Sequence, residues 1–202
     1  MKPATGKRGR ARRGQILDSA LAEFAGAGFD GASMRRIAER VGITEPALYR
    51  HFPGKRALFG ELVSASCDDI AARIRRVTRM ASSKKRTSPR RAAEALFDTG
   101  CLGSPDVLPL ARILMWSALA EDLELGPLGE ALDEFRETLD SACGVRRSKD
   151  RRQEATRLLL TLTLGYWMSA ASGHAPGERI MAECACSALG WSGKRDAEAQ
   201  SG

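Results

Sequence analysis

The stretch SMRRIAERVGITEPALYRHF, residues 33–52, decides the fold of the N-terminal part of this chain. Its apolar residues recur at helical spacing, which predicts one helix before Gly42 and a shorter one after it. Ser33 and Thr44 stand at the two predicted helix starts, where a side-chain oxygen can accept from a free backbone N–H. Gly42 separates the helices, because a positive φ costs least at glycine. Two helices joined by so tight a turn indicate a helix-turn-helix.

The second of these helices divides its side chains between two sides. Leu48 and Phe52 lie four positions apart and are predicted to anchor it to the core. Pro46 is tolerated because it falls in the first helical turn, where backbone N–H groups lack partners. Several residues are left near or on the outward side: Glu45, Ala47, Tyr49, Arg50 and His51.

The positive charge of the chain is concentrated in its first 60 residues. The whole chain carries 32 Lys and Arg against 25 Asp and Glu, a formal net charge of +7. Residues 1–60 hold 12 of the basic and 5 of the acidic residues, so the remainder is neutral with 20 of each. This asymmetry indicates an anionic partner for the N-terminal part. Residues 1–12 are predicted to be a disordered basic arm, either a solvated tail or an arm along phosphate or in a minor groove.

The rest of the chain is predicted to be helical, which makes the fold class all-α. A first helix is expected from about Arg13 to Ala27, and a long helix after Pro53-Gly54. Five more are expected, at residues 90–100, 105–121, 127–143, 150–172 and 177–189. The predicted domains are residues 13–58, a three-helix unit containing the helix-turn-helix, and residues 59–202, a second helical domain.

Composition argues against several other classes. The chain has five cysteines without metal-type spacing and no apolar segment after its basic start, which predicts a reducing cytoplasm and no metal. Cys184 and Cys186 lie two apart on a predicted helix, and a redox role for them stays open. The most apolar stretch, residues 158–171, is shorter than the roughly 18 residues a membrane span needs. Two histidines in separate segments form no catalytic constellation, so neither an enzyme nor a cofactor is expected.

Residues 33–59 resemble the tetracycline-repressor (TetR) family of bacterial transcription regulators. The motifs that carry the resemblance are Ile37-Ala38, Val41-Gly42-Ile43-Thr44, Leu48-Tyr49, His51-Phe52, and Lys55 followed by Leu58. The resemblance covers about residues 12–65. It implies an all-helical homodimer, with an N-terminal domain that binds operator DNA and a C-terminal domain for ligand binding and dimerisation.

The resemblance also implies which residues contact DNA. Thr44, Tyr49, His51 and Lys55 would contact phosphates, and Ser33 would cap its helix and touch the backbone. Glu45, Pro46 and Ala47 would face base edges. Glutamate can accept from cytosine N4 but repels phosphate, and alanine can touch only a thymine methyl, so we expect Arg35 or Arg36, or the N-terminal arm, to add base contacts. Arg50 is assigned no role, since its position varies in the family.

Residues 155–172 are apolar almost all round, so the helix they predict must be covered on all sides, in part by a second subunit. By the resemblance, the last two helices form the dimer interface. Four side chains are candidates for lining an apolar ligand pocket: Met115, Trp116, Tyr166 and Trp167. The alternative for them is ordinary core or dimer interface.

The predicted function is a sequence-specific transcriptional regulator in the cytoplasm. A homodimeric repressor of a palindromic operator, released by a small molecule, is the leading form of this prediction. The alternative is a DNA-binding protein without an effector, either constitutive or architectural.

Overall fold

The computed structural model describes residues 7–83, 88–119, 126–174 and 176–191. Its regular elements are all α-helices, which confirms the predicted class. In chain order they are α1 (Lys7–Gly31), α2 (Met34–Val41), α3 (Glu45–His51), α4 (Lys55–Ser83), α5 (Pro89–Phe97), α6 (Val107–Leu119), α7 (Gly126–Cys143), α8 (Lys149–Ala171) and α9 (Glu178–Leu189). The five helices predicted after residue 90 are all present, and no bound differs from the prediction by more than three residues.

Helix α1 begins earlier than predicted. It begins at Lys7, so the prediction of a disordered arm over residues 1–12 is wrong for residues 7–12, and residues 1–6 lie outside the described ranges. Gly28 has φ 70° and ψ −179°, which is not a helical conformation, so the regular helix is interrupted there, next to the predicted end at Ala27, and a short helical segment follows to Gly31. Composition could not reveal the early start, because the extension is held by contacts with residues distant in sequence, which are described below.

The local structure of the helix-turn-helix follows the prediction closely. The Ser33 hydroxyl accepts from the Arg36 N–H at 3.4 Å, and the Thr44 hydroxyl accepts from the Ala47 N–H at 3.4 Å. Gly42 adopts φ 72°, the left-handed conformation that ends α2. Both predicted caps and the predicted glycine turn are therefore confirmed.

One compact unit comprises the chain up to Ser66 together with residues from Pro109 to 119 among those described. Its core is formed by fully buried side chains of α1 to α4: Ile16, Ala20, Phe24, Ile37, Leu48, Phe52 and Leu58. Phe24 and Phe29 each contact the ring of Phe59, at centroid distances of 5.1 and 5.2 Å. The unit therefore extends beyond the predicted boundary at residue 58, because the first turns of α4 contribute to its core.

A second unit holds Cys67–Leu108 and the described residues from 126 onward. Here α5 packs against α9, and α7 packs against α8. Large apolar side chains from several of these helices are fully buried, among them Leu96, Leu132, Phe135, Leu159 and Trp167. Among the described helices, none is long and apolar enough to cross a membrane.

The second unit also buries an ionic network. Arg136 is only 1% exposed and donates to Asp140 at 2.7 Å and to Asp133 at 2.6 Å. The Trp191 indole N–H donates to Asp140 at 2.8 Å. Burial alone would raise the pKa of Asp140, but hydrogen bonds from Arg147, Trp191 and Arg136 outweigh burial and hold this pKa below its ordinary value. The network joins α7 to Trp191, two residues after the end of α9.

Candidate nucleic-acid interface

Helix α3 presents a polar face away from the core. Leu48 is fully buried beneath it, whereas Tyr49 keeps 45% of its surface exposed. The other outward residues are Thr44, Pro46 and Arg50, which are exposed, and Glu45, Ala47 and His51, which are half-buried. Every residue that the sequence analysis placed on the outward side of α3 is therefore at least partly accessible to a ligand.

Two arginines of α1 hold the ends of the helix-turn-helix. Arg12 Nη1 donates to the Val41 carbonyl at 3.2 Å, at the end of α2. Arg13 Nη1 donates to the His51 carbonyl at 2.9 Å, at the end of α3. Cations are favourable at these positions because the last carbonyls of a helix lack intrahelical partners and carry partial negative charge. Arg12 and Arg13 thus position the two helices, a role that the sequence analysis missed.

Arg13 has further contacts that fix its guanidinium. Its Nε donates to Glu61 Oε1 at 2.7 Å, and its Nη2 bonds the other carboxylate oxygen of Glu61. The guanidinium also lies over the Phe52 ring, 4.2 Å from the centroid. One side chain of α1 therefore links α3 to α4. The only sequence signal for this role was a basic residue near an apolar helix, which also fits a solvated or phosphate-binding side chain.

Glu23 organises the start of α2. It is 6% exposed, and it accepts from the Ser33 N–H at 3.1 Å and from Arg36 Nε at 2.7 Å. Arg40 approaches the other carboxylate oxygen at 3.5 Å. Arg36 also donates to the Gly31 carbonyl at 2.8 Å. The guanidinium of Arg36 is therefore engaged within the protein, which disfavours the expectation that it reads bases.

Arg35 is exposed, but it is paired. Its Nε donates to Glu39 at 2.8 Å, one helical turn away. The hydrogen bond and charge of Glu39 raise the pKa of Arg35, with a smaller contribution from the charge of Glu45. A DNA contact by Arg35 would compete with these acidic partners.

Lys55 supports the turn between α1 and α2. Its Nζ donates to the carbonyls of Asp30 at 2.9 Å and Ala32 at 3.0 Å, and it lies 4.9 Å from the centroid of the Phe29 ring. Two of the three ammonium donors are thus used inside the protein, and one is left for another acceptor. The predicted phosphate contact of Lys55 stays a prediction, now accompanied by a structural role.

The candidate pocket residues of the second unit make specific core contacts. The Tyr166 hydroxyl donates to the Phe97 carbonyl at 3.4 Å, and the Trp167 indole N–H donates to the Leu102 carbonyl at 3.2 Å. Both side chains are buried, and burial is the main factor that raises the pKa of Tyr166. A Cβ on Gly103 would lie 2.8 Å from the Tyr166 hydroxyl, so the turn between α5 and α6 fits closely against α8. These contacts favour the alternative of ordinary core.

The other two pocket candidates lie on α6. Met115 is half-buried, and the side chain of Trp116 lies outside the described residues. A ligand-lining role for all four residues stays a prediction. In the ranges that the structure describes, no three His, Cys, Asp or Glu side chains are grouped to hold a metal ion.

A capped α2–turn–α3 pair with an exposed second helix, supported by α1 and α4, defines the helix-turn-helix class of DNA-binding proteins. Residues 16–62 match the sequence model of the family described as bacterial regulatory proteins, tetR family. Through its N-terminal unit this chain is similar to the TetR family of bacterial regulatory proteins.

Both a transcriptional activator and a transcriptional repressor are similar in sequence to this unit. The HTH-type transcriptional activator FasR of Mycolicibacterium smegmatis is 36% identical over 87 residues, covering 43% of this chain and 39% of FasR. The HTH-type transcriptional repressor Rv1474c of Mycobacterium tuberculosis is 42% identical over 62 residues, covering 31% of this chain and 33% of the repressor. The matched segment thus spans well under half of these relatives.

The fold of most of the chain resembles solved structures of transcriptional regulators. A TetR-like transcriptional regulator from Rhodococcus sp. RHA1 has a TM-score of 0.62 at 20% identity, covering 89% of this chain and 96% of that one. The regulator FadR from Bacillus subtilis, solved in complex with stearoyl-CoA, has a TM-score of 0.58 at 16% identity, covering 87% of this chain and 95% of FadR. At these identities the likeness concerns the fold alone.

Proposed function

We propose that this protein is a transcriptional repressor that binds a palindromic operator as a homodimer and is released by a small molecule. The observation that carries the proposal is the exposed outer side of α3, whose end is held by Arg13 and whose start is capped by Thr44. Such a rigid, exposed short helix is suited to enter a major groove. A regulator of this class acts where the chromosome lies, in the cytoplasm.

Phosphate contacts are assigned to the sides of the helix-turn-helix. Thr44 and Tyr49 offer exposed hydroxyl groups, His51 offers a ring N–H, and the remaining donor of Lys55 completes the group. Ser33 uses its hydroxyl as an acceptor for the Arg36 N–H, which leaves the hydroxyl proton for a phosphate oxygen. These contacts would set the position of α3 without reading sequence.

Base contacts are assigned to the start of α3. The half-buried Glu45 carboxylate can accept from cytosine N4, and Pro46 and Ala47 offer apolar contact to a thymine methyl. Arg35 joins them only if it exchanges Glu39 for DNA, since the two are paired at 2.8 Å. This set gives few strong base contacts.

Dimerisation is assigned to an exposed seam on α8. The seam consists of four residues that are separated by three, four and three positions: Leu158, Thr161, Gly165 and Met168. This spacing is the pattern of a helix that packs against another helix. All four are exposed in the single chain, and Met168 is 61% exposed. A Cβ on Gly165 would meet nothing within 4 Å, so another backbone can approach closely there.

Helix α9 extends the same kind of surface. Ile180 is 56% exposed and Cys184 is exposed, four positions apart on one face. A second copy of the chain would cover both helices, and its two-fold symmetry would match a palindromic operator.

Release by a small molecule is supported by the fold that this chain shares with FadR, which was solved with stearoyl-CoA. A DNA-binding protein without an effector stays the second candidate.

The proposal is tested by fluorescence anisotropy on DNA from the region upstream of the gene, titrated with salt against a scrambled duplex. We expect tight binding to one palindromic segment, with two chains per site by light scattering. Candidate ligands are then screened for release in the same assay. Weak binding that does not distinguish the scrambled duplex would contradict the repressor and favour the architectural alternative.

A further inference from the structure

Arg50 lies on the outermost side of α3. An α-helix turns by about 100° per residue, so Arg50 and Pro46 each lie about 200° around the helix from Leu48. Leu48 is fully buried, whereas Pro46 and Arg50 are both exposed. The face opposite the buried anchor is therefore formed by a proline and a long cationic side chain.

The other arginines of α2 and α3 are engaged with carboxylates. Arg36 and Arg40 both reach the buried Glu23, and Arg35 is paired with Glu39. In the part of the chain that the structure describes, Arg50 has neither a hydrogen bond nor an ion pair through its side chain. All five of its N–H donors are therefore available to a ligand.

The acidic residue of α3 does not neutralise Arg50. Glu45 precedes Arg50 by five positions, which places it about 140° away around the helix. Its charge acts on Arg35 instead. Arg50 is thus a cation without a partner among the described residues, on the face of α3 that would lie deepest in a groove.

We propose that Arg50 reads a guanine in the major groove, through paired hydrogen bonds from its guanidinium to guanine N7 and O6. This inference rests on the proposed function, because it requires α3 to enter the major groove of a specific site. Guanine presents two adjacent acceptors at that edge, and the planar fork of arginine fits both. Among the outward residues of α3, Pro46 and Ala47 have no side-chain donors, and Glu45 can only accept.

The position on the helix distinguishes a base contact from a phosphate contact. Tyr49 lies about 100° from Leu48, on a side of α3 that would face the wall of a groove. Arg50 lies opposite Leu48 and would face the groove floor, where base edges are exposed. Because Arg13 and Thr44 fix α3 at its two ends, a phosphate contact by Arg50 would instead require the whole helix-turn-helix to dock on DNA in another orientation.

The test begins with selection of binding sites from randomised duplexes by the full chain, its R50A and R50Q variants, and R91A as a control. Arg91 is also an exposed helical arginine, on α5, and its side chain forms neither a hydrogen bond nor an ion pair with a described residue. We expect wild type and R91A to select a guanine at one position of each half-site. R50A should select no base there, and R50Q should shift the preference toward adenine, which glutamine pairs with through N6 and N7.

A second measurement locates the contact on the base. Replacing the selected guanine by 7-deazaguanine removes one of the two acceptors, and it should weaken wild-type binding by about tenfold in anisotropy titrations. The same replacement should change R50A binding by less than about twofold, because the partner is already absent. Thermal melting of R50A should match that of wild type, since Arg50 is exposed.

Three outcomes would overturn the inference. If R50A keeps the guanine preference and loses only salt dependence, Arg50 contacts a phosphate and the proposed regulator stands. If 7-deazaguanine weakens R50A as much as wild type, another residue reads that base, and again only this inference fails. If wild type itself selects no sequence, the proposed function fails together with the inference.

Discussion

Arg13 Nη1 donates to the backbone carbonyl of His51 at 2.9 Å, across 38 positions of sequence. This bond joins the first helix to the end of the helix that we propose enters DNA. Since Glu61 orients the same guanidinium from α4, the position of α3 depends on three helices and not on its own short length. A helix of seven residues is too short to be stable by itself, so these tertiary contacts are what hold it.

Replacing Arg13 should therefore affect both folding and DNA binding. We expect R13A to lower the free energy of unfolding by about 1–2 kcal/mol, because a charge-assisted hydrogen bond and a partly exposed ion pair are lost. Binding to all DNA sequences should weaken, since α3 is less well positioned. Urea denaturation and anisotropy measure the two effects, with R91A as the control. A variant with unchanged stability and unchanged affinity would show that Arg13 does not position α3.

Replacing Tyr49 and replacing Lys55 should have different effects on the salt dependence of DNA binding. Y49F removes a neutral hydroxyl, so affinity for specific and scrambled DNA should fall equally with no change in the salt slope. K55M removes a cation, so the slope of log affinity against log salt should decrease by about 0.9 if one phosphate contact is lost. An unchanged slope in K55M would mean that Lys55 serves only the turn formed by Asp30 and Ala32.

A charge placed in the α8 seam should separate the dimer. Met168 is 61% exposed in the single chain and would be covered in the dimer. M168E would then bury an unpaired carboxylate on each chain, at a cost of about 3 kcal/mol or more for each. We expect a monomer in light scattering and much weaker binding to palindromic DNA. Q153E adds a charge on α8 outside the seam and should stay dimeric. If M168E also stays dimeric, the interface lies elsewhere.

Acid should destabilise the second unit through Asp140. The folded-state pKa of Asp140 is lowered, so its carboxylate contributes stability above the unfolded pKa of about 4. That contribution should be lost as the pH falls through the lower, folded-state pKa. D140N removes this pH dependence and leaves the buried Arg136 short of a partner, which should cost about 2–4 kcal/mol at pH 7. Urea denaturation between pH 7 and pH 3 measures both quantities.

W191F provides a milder variant of the same network. It keeps a ring close to that of Phe135, 6.1 Å away in the native protein, and removes only the N–H bond to Asp140. We expect a loss of about 1–2 kcal/mol with the fold retained. If D140N and wild type lose stability in parallel with falling pH, the acid sensitivity arises at other carboxylates.

Much of the helix-turn-helix could be predicted from sequence because its determinants are local. The caps at Ser33 and Thr44 and the left-handed turn at Gly42 each depend on residues within about four positions. The roles of the basic residues could not be predicted in the same way. The phosphate contact of Lys55 stays a prediction, but the bonds of its ammonium to two carbonyls 23 and 25 positions away, at the turn between α1 and α2, were not foreseen.

By itself, then, the sequence determined the all-helical class, the position of α2 and α3, and the side of α3 that faces outward. These follow from apolar periodicity and capping, which act over one or two helical turns. Only the tertiary structure decided which cations are engaged: Arg13 and Arg36 bond protein acceptors, whereas Arg50 bonds none among the residues that the structure describes. The reason is physical. A long charged side chain bonds whatever acceptor the fold brings within its reach, and that acceptor is set by chain segments far away in sequence.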